Sequence, residues 1–136
     1  MPELKLDEAR LDRLQEVLAF VDGQLEAVDC PLRVQMQIDV AVEEIYVNIA
    51  HYAYAPAIGP AVIRLSVTPS PGMFEITFID EGVAFDPVAK ADPDVTLPVE
   101  QRQIGGLGIY MVKKSMDEVL YAREDGKNVL TLRKRL

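Results

Sequence analysis

From Leu11 onward apolar residues recur at spacings of three and four: Leu11, Leu14, Leu18, Val21, Leu25 and Val28. That period marks one face of an α-helix. Asp7 is placed to cap its start, because a carboxylate accepts the unpaired backbone N–H groups of a first turn. Pro31 closes the segment, and Glu3–Leu6 is expected as a short strand ahead of it. A second helix is predicted from about Leu32 to about Ala53, with Val34, Ile38, Ala41, Val42, Ile45 and Ile49 as its apolar stripe. Pro56, Gly59 and Pro60 then break the chain.

The period changes to two after that break. Ala61–Thr68 is rich in β-branched residues, and Phe74, Ile76 and Phe78 alternate with Glu75 and Thr77. With Pro69-Ser70-Pro71-Gly72 between them, the two runs predict an antiparallel hairpin. From Glu81 to about Ile104 no period survives, and Pro87, Pro93 and Pro98 punctuate the stretch. A connection of that length inside a compact domain is usually a functional lid or a mobile segment. A third helix is expected from about Gly106 to about Met116, with Ile109, Val112 and Met116 inward. Val119–Arg123 and Val129–Arg135 then form a second hairpin, and Asp125-Gly126 is a strong turn signal between them. The order is helix, helix, hairpin, long loop, helix, hairpin. Segregated helices and antiparallel strands predict an α+β sandwich, one sheet with helices on one face.

Composition bounds this picture. A chain of 136 residues is the size of one domain, taken as 1–136. It is 49% hydrophobic and 26% charged with mean hydropathy +0.08, which excludes a disordered chain. The net charge of −8 is unevenly spread: residues 1–100 hold 6 basic and 18 acidic groups, residues 101–136 hold 8 and 4. The overall sign argues against non-specific nucleic-acid binding and against anchoring on an anionic membrane. It leaves room for one anion site in the last third. Cys30, the single cysteine, excludes an intramolecular disulfide and a thiolate metal cluster, and reads as a small partly buried thiol. No apolar run approaches the roughly 18 residues of a membrane helix, and the first residues lack an apolar signal core. A reducing cytoplasm is the expected location.

Several residues could carry chemistry. Glu44, Asn48 and His51 share one face of the second helix. On spacing alone, a solvated polar face is the more ordinary account of that row. Asp80 ends an apolar strand beside Gly82; it could accept a hydrogen bond from an exocyclic amine, or simply mark a strand exit. Gly105-Gly106-Leu107-Gly108 opens a helix, where free N–H groups and the helix dipole suit a phosphate. It is neither a Walker loop nor the dinucleotide fingerprint, since no Gly-Lys-Ser/Thr follows and no parallel βαβ unit surrounds it. Arg102 precedes the glycines and could meet phosphate charge; Lys113 and Lys114 follow them and read better as a solvated face.

Order and context say more than any one signal. Glu44-Ile-Tyr-Val-Asn48 on a helix, Asp80-Glu-Gly82-Val-Ala-Phe85 leaving a strand, and Gly106-Leu-Gly108 opening a helix after a long loop resemble the N box and glycine boxes of the histidine kinase-like (GHKL, Bergerat-fold) ATPases. Ala41 to Tyr54, Gly82 to Pro87, Gly105 to Val112 and Asp125 to Leu132 narrow the resemblance to the small anti-sigma factor serine kinases of the RsbW type. Ala84 stands where such proteins often carry proline or glycine, and His51 stands one residue earlier than in many of them.

The resemblance implies a two-layer α+β sandwich with a mixed, mainly antiparallel sheet, and a lid at 87–104. It implies ATP and Mg²⁺ as cofactors. Asn48 would hold the metal, Glu44 would be the catalytic base, and Asp80 would accept from the adenine amino group with Gly82 beside the ring. Arg102, Gly105, Gly106, Leu107 and Gly108 would face the phosphates. The implied activity is transfer of the ATP γ-phosphate to a Ser or Thr of a STAS-domain anti-sigma factor antagonist in a partner-switching circuit. A sigma factor and a second copy of the chain are further implied partners. The alternatives are an ATP-binding partner-switch module without kinase activity, and an acidic interaction domain that binds no nucleotide.

Overall fold

The expected elements are present in a computed structural model, which describes residues 2–69, 71–88 and 106–136. The strands are β1 (Glu3–Leu6), β2 (Ala61–Pro69), β3 (Gly72–Asp80), β4 (Glu118–Glu124) and β5 (Lys127–Arg135). The helices are α1 (Leu14–Glu26), α2 (Leu32–Asn48) and α3 (Gly106–Ser115). The strands form one sheet in the order β1-β2-β3-β5-β4. Every pairing among the described residues is antiparallel, the limiting case of the mixed, mainly antiparallel sheet expected.

Alternation decides which face of the sheet is covered. Ile63 and Leu65 of β2, Phe74, Ile76 and Phe78 of β3, and Leu130 and Leu132 of β5 all point inward and are buried. Register places them side by side, with Ile63 opposite Phe78 and Phe78 opposite Leu130. The helices supply the other half of the core through Val17, Val21 and Leu25 of α1, Ile38, Ala41, Val42, Ile45 and Tyr46 of α2, and Ile109 and Val112 of α3. The opposite face carries cross-strand polar pairs. Arg64 donates to Glu3 at 2.7 Å, Arg133 to Glu75 at 2.6 Å, and the Thr77 and Thr131 hydroxyls meet at 3.2 Å.

The ends of the elements follow from local chemistry. Asp7 does not cap α1: a 3₁₀ turn at Leu11–Arg13 precedes the helix, and neither start has a side-chain cap. The Tyr46 hydroxyl, donating to the Arg10 carbonyl at 2.6 Å, ties this segment to α2 instead. Leu11 is correspondingly exposed, while Val17, outside the stripe read from spacing, is fully buried. Asp29, with φ 53°, stops α1 in a left-handed conformation, and the Cys30 N–H returns to the Leu25 carbonyl. The β4–β5 turn is Asp125-Gly126, with φ 52° and 76°, as a two-residue type I′ hairpin requires. Cys30 is partly buried, and its thiol is pushed up first by burial and then by the nearby Asp39 carboxylate.

Two carboxylates meet where α1 packs on α2. The inner oxygens, Oδ1 of Asp22 and of Asp39, are shut from solvent with no donor facing them. When Asp39 is protonated it can donate to Asp22. Burial, then the hydrogen bond and charge of Asp22, then the charge of Glu26, raise Asp39 from 3.8 to about 7. Between those values the folded chain holds a proton that the unfolded chain releases. Stability therefore falls as pH rises through that window, and the full penalty is present above it. We expect Asp39→Asn to be more stable than wild type at about pH 8, and to lack this part of wild type's decline from about pH 5 upward. Urea unfolding across that range checks it; parallel pH profiles for the two proteins would refute the proton held by Asp39.

Candidate functional site

A cavity of about 520 Å³ opens where α2 ends over the inward face of β3 and β5. Its floor is apolar, with Ile45, Ile49, Phe78, Ile109 and Leu130. Val83, Phe85, Pro87 and Tyr52 form further wall. Its polar groups are Glu44, Asn48 and His51 from α2 and the turn that follows, Asp80 from β3, Tyr121 from β4 and Asn128 from β5. A concave, mainly apolar space with a few convergent polar groups is the usual form of a small-ligand site.

Helical spacing explains the first group. Glu44 and Asn48 are four apart, one above the other, while Ile45 and Ile49 turn toward the core. After Asn48 the helix widens into one π turn, Ile49–Ala53. That turn brings the Ala53 carbonyl to the Val83 N–H at 2.9 Å. It also explains Gly82. A Cβ there would lie 2.2 Å from the Ala53 oxygen, so glycine is required by the approach of the helix end. His51 is exposed in the same turn, with its ring edge-on to Tyr52.

Asp80 sits at the last inward position of β3, 6% exposed. Among the described residues its hydrogen bonds fall on Oδ1, which accepts from the Gly82 N–H and from Asn128 Nδ2, both at 2.9 Å. Neighbours clamp the loop beyond it. Arg123 donates to the Gly82 carbonyl at 2.9 Å, and the Tyr54 hydroxyl accepts the Glu81 N–H at 2.7 Å. Burial pushes the Tyr54 hydroxyl up, so it remains a neutral phenol able to donate to the Pro60 carbonyl in turn.

The start of α3 lies against Glu44. A Cβ on Gly108 would fall 2.0 Å from Glu44 Oε1, so the missing side chain makes room for this carboxylate. Gly106 and Leu107 form the first turn with Gly108. Lys113 and Lys114 are in the last turn of α3 and are not among the described residues that line the cavity; the Lys114 ammonium lies 5.5 Å from the Tyr110 ring centre. Arg102, Gly105 and nearly all of the expected lid lie outside the described residues.

Glu44, Asn48 and Asp80 are thus brought to one cavity, with Gly82 and Gly108 packed around two of its corners. Sequence reasoning passed over Asn128, Tyr121, Tyr54 and Arg123. A signal for the first was present: Asn128 shares the inward period of Leu130 and Leu132, so a polar side chain had to face the core side.

Known proteins resemble this chain in sequence and in fold. The chain is 29% identical over 100 residues to the serine/threonine-protein kinase BtrW of Bordetella bronchiseptica, covering 74% of this chain and 70% of that protein. It is 32% identical over 95 residues to the serine-protein kinase RsbW of Bacillus cereus, covering 67% of this chain and 58% of that protein. Among solved structures, the RsbU and RsbW domains of Rv1364c from Mycobacterium tuberculosis superpose with TM-score 0.68 at 18% identity, over 100% of this chain and 33% of that one. The SiaB-SiaC complex from Pseudomonas aeruginosa gives TM-score 0.62 at 16% identity, over 98% of this chain and 89% of the other. At such identities these two structures speak for the fold alone. The histidine kinase-like ATPase domain matches residues 8–134, and the chain belongs to that family.

Proposed function

We propose that the chain is an ATP-dependent protein serine/threonine kinase whose substrate is a STAS-domain antagonist in a partner-switching circuit. The observation that carries this reading is the meeting of Glu44, Asn48 and Asp80 in one cavity, with the first turn of α3 packed against Glu44. The names of the BtrW and RsbW relatives support the activity, and the family supports the nucleotide.

The chemistry can be assigned residue by residue. The cavity takes a purine over its apolar floor, and Asp80 accepts the exocyclic amine. The phosphates then extend toward Asn48 and the start of α3, where Gly106, Leu107 and Gly108 offer backbone N–H groups. Arg102 and Gly105 would join them from the lid at 87–104, completing a single domain over 1–136. Asn48 would hold Mg²⁺ through its amide oxygen, since this hard cation takes oxygen ligands. When bound, that ion offsets the charge of the triphosphate. Glu44 takes the proton from the substrate hydroxyl as that oxygen forms its bond to the γ-phosphorus. The bond from γ-phosphorus to the β–γ bridging oxygen breaks, and ADP leaves with that electron pair. A sigma factor as second client, a homodimer and a cytoplasmic setting belong to the same reading. No helix among the described residues is long and apolar enough to cross a membrane.

Three outcomes are expected. With labelled ATP and a cognate STAS protein, wild type forms phosphoserine or phosphothreonine, and Glu44→Ala lowers the rate by about 10²–10⁴ while still binding ATP. Unchanged transfer would remove Glu44 from the mechanism; ATP binding without transfer by wild type would leave a partner-switch module instead of a kinase. Calorimetry should show ATP binding weakened at least about tenfold by chelating Mg²⁺, because carboxylates such as Glu44 repel uncovered phosphates. Equal affinity with and without the ion would contradict that electrostatic account. Finally, Gly108→Ala should displace the flexible Glu44 carboxylate yet favour the helix by up to about 1 kcal/mol. We expect thermal stability to hold while transfer falls; full transfer by this variant would show that the contact with Glu44 is dispensable.

A further inference from the structure

Asn128 has no part in the mechanism above, yet among the described residues it is the most fully committed polar side chain in the cavity. It is 6% exposed. Register sets it opposite Asp80, at the inward position of β5 where an apolar residue would otherwise continue the row. Its amide nitrogen donates to Asp80 Oδ1 at 2.9 Å and to the Val83 carbonyl at 2.8 Å. Its amide oxygen accepts from the Tyr121 hydroxyl at 2.5 Å and from the Phe85 N–H at 3.3 Å. Both donors and both acceptor positions are thereby used. Turning the amide over would set its oxygen against a carboxylate and a carbonyl, and its NH₂ against a backbone N–H. The orientation is locked from four sides.

The geometry points to Asn128 as the residue that makes the site selective for a 6-amino purine, acting through Asp80. The inference rests on the nucleotide reading proposed above. A carboxylate able to rotate can meet a base in several ways. With Oδ1 held by the Gly82 N–H and by Asn128, the plane of the Asp80 carboxylate is fixed and Oδ2 is left to read the ligand. That oxygen is an acceptor. It takes an exocyclic NH₂ and opposes a carbonyl oxygen at the same place on the ring, so adenine is admitted and a 6-oxo purine is rejected. The bonds to Val83 and Phe85 add a second consequence: the backbone that leads from the base-reading carboxylate toward the lid is held by the same amide. Asn128 is a positioning residue, and Tyr121 supports it from the edge strand.

The test compares Mg-ATP with the Mg complex of purine riboside triphosphate, which lacks only the 6-amino group. Titration calorimetry is run on wild type, Asn128→Ala and Tyr121→Phe, with circular dichroism and thermal melts alongside. Wild type should prefer ATP by about tenfold or more, the worth of one hydrogen bond to a charged group. Asn128→Ala should bring that ratio to within about threefold of unity, and Tyr121→Phe should lower it by a smaller factor with the fold intact. A role confined to stability would weaken both ligands equally and leave the ratio unchanged. Wild-type preference with an unchanged ratio in both variants therefore overturns the proposal. Should Asn128→Ala not fold, the Tyr121→Phe ratio decides: a fall supports the proposal, and the wild-type value overturns it. Failure of wild type to bind either nucleotide, or equal binding of both, would instead bring down the reading of the cavity itself.

Discussion

The whole site depends on one constraint: a carboxylate placed on the buried face of a sheet has to be satisfied. Asp80 occupies the position where the inward row Phe74, Ile76, Phe78 would continue with another apolar residue. Sealing an ionised group there under a helix would be costly unless hydrogen bonds and an open polar space met it. Both are supplied. The Gly82 N–H and the Asn128 amide reach one oxygen, and the helical layer stops short, leaving a cavity beside the other. The core and the site are two ends of the same strands, and the change from Phe78 to Asp80 is the boundary between them.

That boundary dictates how α2 must end. An ordinary α-helical turn after Asn48 would continue the apolar stripe over a surface that has become polar. The π turn instead widens the helix and turns its Ala53 carbonyl onto the loop leaving β3. π turns of this kind are frequent at functional sites because they re-aim a helix end without breaking it. Gly82 is the complement of that move, the only residue type that leaves room for the Ala53 oxygen. One packing event thus fixes the loop after Asp80 relative to the helix that carries Glu44 and Asn48. Polar groups held on a helix and two strands are positioned more firmly than the same groups on loops would be.

Much of this was legible in the chain. The helical stripes, both hairpins and the Asp125-Gly126 turn follow from periodicity, because burial on one face leaves a regular mark. Glu44, Asn48 and Asp80 stood out through the company they keep rather than through spacing, which alone could not separate a site from a solvated face. What escaped were the residues whose roles depend on register. Asn128 matters because β5 pairs antiparallel with β3 so that it meets Asp80, and nothing local to Asn128 encodes that distance of 48 residues. The Asp22 and Asp39 pair is hidden in the same way, since it exists only when α1 lies on α2. The misplaced cap at Asp7 has a different cause: a 3₁₀ turn and the Tyr46 hydroxyl do the anchoring that a side-chain cap would have done.

The uneven charge of the chain takes on a specific meaning against this geometry. Residues 1–100 carry a large acidic excess, and both carboxylates of the cavity, Glu44 and Asp80, come from that part. In the proposed reading the negative charge is an asset at the purine end, because an exocyclic amine is a donor and Asp80 would be held as its acceptor. At the phosphate end of the proposed reaction a bare carboxylate opposes a polyanion, yet that reaction needs a proton acceptor there. Packing Glu44 against the first turn of α3 reconciles the two demands. In the proposed reaction the partial positive charge of the helix start attracts phosphate oxygens beside Glu44. The remaining repulsion has to be met by a cation, so in the proposed reaction metal dependence follows from where the base must stand.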